Sequence, residues 1–197
     1  MTVRGNEELS PSLLARKILC PAYVSAPLGG PTRFRFQALH ALALITVIGR
    51  YLKSGYNLLA VGIGGRRYRI DLLFEEALSA RKRLVEVKSS KKIREVHKIQ
   101  AALYANKVAA DEIVVSNCES DEILSLEFIQ RIQERAKWTD QFLTDDPVRA
   151  ASNYTPHPDV CSICANSMCP FLSTMPGFCG HHLTKLGAQM SYGPTAS

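Results

Sequence analysis

Residues 68–88 read YRIDLLFEEALSARKRLVEVK, and this stretch decides the fold. Tyr68 to Phe74 reads as one strand. Arg81-Lys82-Arg83 leads into another, Leu84-Val85-Glu86-Val87-Lys88. Alternate side chains of a strand point to opposite faces, so Glu86 and Lys88, two apart, project together. Asp71 interrupts an apolar run, Arg69-Ile70-Asp71-Leu72-Leu73. If the two strands lie side by side in register, its carboxylate joins that patch. Two carboxylates make a hard oxygen site suited to Mg²⁺ or Mn²⁺. An adjacent ammonium can orient water or stabilise charge on a phosphate. The plainer alternative is a Glu–Lys pair on a solvent-facing strand.

Working outward, Tyr56 to Val61 reads as a strand and Gly62 to Gly65 as a turn. Phe34 to Lys53 is helical in pattern, with Leu39, Leu42, Ile45 and Ile48 at helical spacings. His40 shares a side of that helix with Ala43, Leu44 and Val47, where a histidine is more often a core residue than a ligand. Ser10-Pro11 reads as the N-cap and first position of a short helix ending at Cys20-Pro21. Beyond Lys88, Lys91 to Ala109 reads as a helix, Ile113-Val114-Val115 as a short buried strand, and Asp121 to Trp138 as an amphipathic helix. Helix, helix, three strands, helix, strand, helix is the order of an α/β domain with a mixed sheet.

The composition is that of a globular chain, 46% hydrophobic and 21% charged over 197 residues. Lys plus Arg exceed Asp plus Glu by 24 to 18, a formal charge of +6 that leans toward an anionic partner such as nucleic acid. The longest apolar run, Ala38 to Ile48, contains His40 and is too short to span a bilayer. The N-terminal MTVRGNEELSP lacks an apolar signal core. The expected location is the cytoplasm, with no membrane contact. There, six cysteines argue for metal or catalysis before disulfides.

Cys161, Cys164 and Cys169 follow a C-x2-C-x4-C pattern whose short loops can aim several thiolates at one centre. Cys179 follows ten residues later, and Cys20 stands near the N-terminus. Two arrangements compete. Cys161, Cys164, Cys169 and Cys179 could form a local zinc site. Alternatively, Cys20 joins three C-terminal cysteines around an iron–sulfur cluster. Cys20 and Cys169 each precede proline, as the last cysteine of the bacterial ferredoxin run does. Cys118 reads as a small buried hydrophobe.

Ile70-Asp71 followed by Glu86-Val87-Lys88 resembles the D…ExK signature of the PD-(D/E)XK nuclease superfamily. His97-Lys98-Ile99-Gln100-Ala101-Ala102-Leu103-Tyr104 resembles the Q-x-x-x-Y helix of its RecB branch, with Gln100 and Tyr104 on one helical face. One cysteine before this core and a Cys-x2-Cys…Cys group after it resemble the iron–sulfur RecB nucleases. These include the CRISPR-associated exonuclease (Cas-four) family, whose N-terminal cysteine helix Leu14 to Pro21 resembles.

The resemblance implies a PD-(D/E)XK core and a site of Asp71, Glu86, Lys88, Gln100 and Tyr104. It implies a divalent metal held by His40, Asp71, Glu86 and the Val87 carbonyl. It also implies an iron–sulfur cluster, 4Fe–4S ahead of 2Fe–2S, on Cys20, Cys161, Cys164 and either Cys169 or, as the alternative, Cys179. Arg66, Arg67, Arg69, Arg81 to Arg83, Lys91 and Lys92 are candidate phosphate contacts. The expected organisation is a cluster-binding segment 1–33, a nuclease core 34–145 and a cysteine-rich segment 146–197. The expected activity is exonucleolytic digestion of single-stranded DNA ends, with a role in CRISPR spacer acquisition beside the integrase complex. A RecB-like repair or viral nuclease, a nuclease-inactive iron–sulfur DNA-binding module and a zinc-binding interaction protein are the competing readings.

Overall fold

The computed structural model describes residues 9–20, 23, 25, 30–65, 68–145, 157–161 and 164. Arg66, Arg67, Cys169 and Cys179 lie outside the described residues. Helix α1 covers Pro11–Leu19 and α2 Gly30–Lys53. Strands β1 (Tyr56–Gly64), β2 (Arg69–Glu76) and β3 (Lys82–Val87) follow, then α3 (Glu95–Tyr104), β4 (Glu112–Ser116), β5 (Asp121–Ile123) and α4 (Leu126–Asp145). A single turn, α5, covers Pro158–Cys161. The protein is α/β, with one mixed sheet in the order β1-β2-β3-β4-β5. Among the described residues only β3 and β4 pair parallel, the arrangement that a crossover helix such as α3 permits. Among the described residues no helix is long and apolar enough to cross a membrane.

Period-two burial builds the core. Leu72 and Phe74 of β2, Val85 and Val87 of β3 and Val114 of β4 meet Ala43, Val47 and Tyr51 of α2. Tyr51 stacks on Phe74 with centroids 4.6 Å apart, and Arg83 lies over the Tyr56 ring at 4.7 Å. The stripe of α2 that faces the sheet is therefore the His40 side. Leu39, Leu42 and Ile45 are exposed, although their spacing is equally helical. The helix is apolar nearly all round, so periodicity alone does not choose its buried face.

Three elements differ from the sequence reading. Gly62 and Gly64 belong to β1 instead of a turn. A Cβ on Gly64 would lie 2.2 Å from the Tyr68 carbonyl oxygen, so only glycine permits that approach. Helix α3 is confined to 95–104, shorter than the expected 91–109. The expected helix from Asp121 is first a strand, β5. Ser125 then starts α4, its Oγ accepting the Phe128 N–H at 3.2 Å.

The chain divides into two compact units, one of residues 1–15 and 28–137, the other of 16–27 and 138–197. The sheet and α3 lie in the first.

Candidate metal and nucleic-acid site

Strands β2 and β3 pair antiparallel with Leu72 opposite Val85, so one step along that register Asp71 stands across from Glu86. Glu86 alternates with the core residues Val85 and Val87 and turns from α2 toward α3, whereas Asp71 reaches His40 of α2. Asp71 Oδ2 accepts the Val87 N–H at 2.8 Å, and Oδ1 lies 3.2 Å from His40 Nε2. Helix α3 packs behind β3 and brings Gln100 to Glu86. Gln100 Nε2 donates to Glu86 Oε1 at 2.8 Å and to the Tyr104 hydroxyl at 3.2 Å. Lys88 Nζ donates to Glu86 Oε1 at 2.6 Å and to Gln100 Oε1 at 3.0 Å. Asp71, Glu86, Lys88, Gln100, Tyr104 and His40 are thus gathered into one connected site. What joins Val87 to it is its N–H.

Both donors to Glu86 use the same oxygen. Oε2 is buried and has no hydrogen-bond partner, while the residue is 2% exposed. Burial raises the Glu86 carboxyl to about 7; the Lys88 ammonium lowers it and the Asp71 charge raises it further. Hydrogen bonding to Asp71 raises His40 above its usual value, against the opposing effect of burial. Burial likewise raises Tyr104, keeping its hydroxyl protonated.

An orphaned carboxylate oxygen beside a second carboxylate and an imidazole is a donor set that suits a hard divalent cation. Among the described residues, however, no three His, Cys, Asp or Glu side chains already converge as a ligand cluster. His40–Asp71 and Glu86–Lys88 form two adjacent halves.

Lys91 and Lys92 are exposed in the β3–α3 loop, where basic side chains are open to a polyanion. Asn117, which sequence reasoning missed, shapes that loop. Its buried side chain donates to the Lys91 carbonyl at 2.9 Å and accepts the Glu119 and Ser120 N–H groups. The sequence signal was Asn117 to Ser120, a polar turn between two strands. Cys118 sits in that turn, exposed, and is not the buried hydrophobe expected, because the turn directs it outward.

In the second unit, Cys20 is buried at the end of α1, its N–H bonded to the Arg16 carbonyl at 2.9 Å. Ser25 and Cys164 form an antiparallel bridge. Burial lowers Lys17, and negative charge on Cys20 or Cys164 opposes that shift. Cys161 ends α5.

No family model matches this chain, and no curated protein or solved structure matches it.

Proposed function

We propose that the chain is a metal-dependent deoxyribonuclease of the PD-(D/E)XK kind, with an iron–sulfur cluster on its cysteines. The observation that carries the reading is the Glu86 carboxylate, one oxygen held by Lys88 and Gln100 and the other buried without a partner. Glu86, Asp71 and His40 would hold one Mg²⁺ or Mn²⁺. When bound, that cation supplies Lewis acidity at the scissile phosphate. Lys88 is the only cation hydrogen-bonded to Glu86 among the described residues, and its ammonium would orient an attacking water or stabilise developing phosphate charge. Gln100 accepts from Lys88 and would hold it in place, and the Tyr104 hydroxyl accepts from Gln100. The basic loop at Lys91 and Lys92 would follow the strand's phosphates.

Cys20 and Cys164 fit a cluster that draws on both ends of the chain, with Cys161 and Cys169 or Cys179 completing it. The resemblance to the iron–sulfur RecB nucleases supports single-stranded DNA ends as the substrate and CRISPR spacer acquisition as the role. The test is cleavage of a labelled single-stranded oligonucleotide with Mn²⁺. Wild type should cleave it, while Glu86→Ala and Lys88→Ala should each lose activity about a hundredfold or more, with unchanged circular dichroism. Undiminished cleavage by Glu86→Ala would overturn the assignment of this site, and binding without cleavage by the wild type would leave a DNA-binding module as the surviving reading.

A further inference from the structure

Beside the His40–Asp71 contact lies a cavity of about 370 Å³. Gln37, His40 and Leu44 of α2, Val61 of β1, and Arg69 and Asp71 of β2 line it. That volume falls at the small end of the roughly 300–1,000 Å³ range of ligand sites. A single nucleotide fits such a space and a duplex does not. Arg69 gives the cavity a cation, Asp71 and His40 the edge shared with the candidate metal site, and Leu44 and Val61 an apolar side. A Cβ placed on Gly62 would come within 2.8 Å of Arg69 Nε and of one terminal guanidinium nitrogen. The guanidinium therefore occupies the space a Gly62 side chain would need, and the φ of +66° there already favours glycine. Among the described residues no carboxylate forms an ion pair with Arg69. A seated guanidinium with open donors is a fork for a phosphate. Leu44 and Val61 offer the apolar surface that a base face covers.

We propose that this cavity is the subsite for one unpaired nucleotide of the substrate strand, with Arg69 on its phosphate and Leu44 and Val61 along its base. The proposal rests on the nuclease reading of Asp71 and Glu86, and it adds the side chains that would select an unpaired strand. A paired base reaches such a pocket only by leaving its stack.

The experiment measures binding without chemistry. A fluorescent single-stranded oligonucleotide is titrated with the full chain in EDTA and then competed with deoxyadenosine monophosphate. Arg69→Gln should weaken both ligands about tenfold to a hundredfold, the range for losing charge-assisted hydrogen bonds. Arg69→Lys, which keeps the charge but loses the fork, should fall between. Val61→Trp, on the exposed side of an edge strand, fills the cavity without touching charge and should abolish competition by the mononucleotide. Wild-type affinity for the mononucleotide in Arg69→Gln and Val61→Trp, or no competition in wild type, overturns the subsite. Failure of the wild-type chain to cleave the same oligonucleotide with Mn²⁺ bears on the nuclease reading alone.

Discussion

Glu86 sits 2% exposed on the side of β3 turned toward α3, and its burial has a measurable consequence. The carboxyl titrates near 4.5 when unfolded and near 7 when folded, so between those values the folded chain binds the proton that the unfolded chain has released. Stability from this group is complete below the unfolded value and is lost as pH rises through about 7. His40, raised by Asp71, slopes the same way at higher pH. The melting temperature of the metal-free protein should therefore fall between about pH 5 and pH 8. Glu86→Gln should flatten the lower part of that fall, and Mn²⁺ should restore stability at the upper end, because a ligand of the native state alone raises it. Equal slopes for wild type and Glu86→Gln in a chelator would contradict the assignment. Asp71, Glu86 and Lys88 were legible in the sequence because charged residues inside apolar strands stand out. Asn117 was not, because an Asx turn leaves no hydrophobic pattern, and neither was the orphaned Glu86 oxygen, which depends on Gln100 and Lys88 choosing the same partner.

Helix α2 links the core to the site, and its two faces make a paired test. Val47 is fully buried, so Val47→Ala should cost about 2 kcal/mol in urea unfolding, from lost methyl burial and the cavity left behind. Ile45, 68% exposed, should tolerate Ser within about 0.5 kcal/mol. Reversed costs would mean the helix is rotated. Near its end, Arg50 donates to Ser116 Oγ at 2.7 Å and to the Cys118 carbonyl at 3.3 Å, and pairs with Asp121. Asp121 also accepts from Ser116 at 2.7 Å, which explains why β5 forms where the sequence pattern predicted helix. Tertiary hydrogen bonds override local propensity there, and no single-chain periodicity records them. Arg50→Ala should lower stability by about 1–3 kcal/mol by stranding those partners. It should also weaken single-stranded DNA binding, because the same turn carries Asn117, which holds the Lys91 carbonyl. A stability loss with wild-type binding would confine Arg50 to folding.

At the scale of the whole chain, residues 16–27 and 138–197 form one compact unit although the sheet-bearing unit separates them in sequence. The sequence reading cut the chain serially, at 33 and 145, because linear order does not state which distant segments pack together. It did place Cys20 with the C-terminal cysteines as one of two arrangements, and these arrangements predict different chemistry. Ser25, five residues after Cys20, forms a backbone bridge to Cys164, which brings the two chain ends together at that point. A cluster drawing on both chain ends loses a ligand whichever end is altered. Purified without oxygen, the protein should be brown and contain iron with acid-labile sulfide. Cys20→Ala should bleach it as completely as Cys161→Ala or Cys164→Ala. Because ligation is folding free energy, the bleached variants should show a separate, earlier melting step from the second unit, while metal-dependent cleavage at Asp71 and Glu86 persists below that step. A local zinc site on Cys161, Cys164, Cys169 and Cys179 predicts the opposite: a colourless protein whose metal content is indifferent to Cys20. Zinc at one equivalent in both wild type and Cys20→Ala would therefore remove the iron–sulfur proposal and leave the nuclease site to be judged on its own variants.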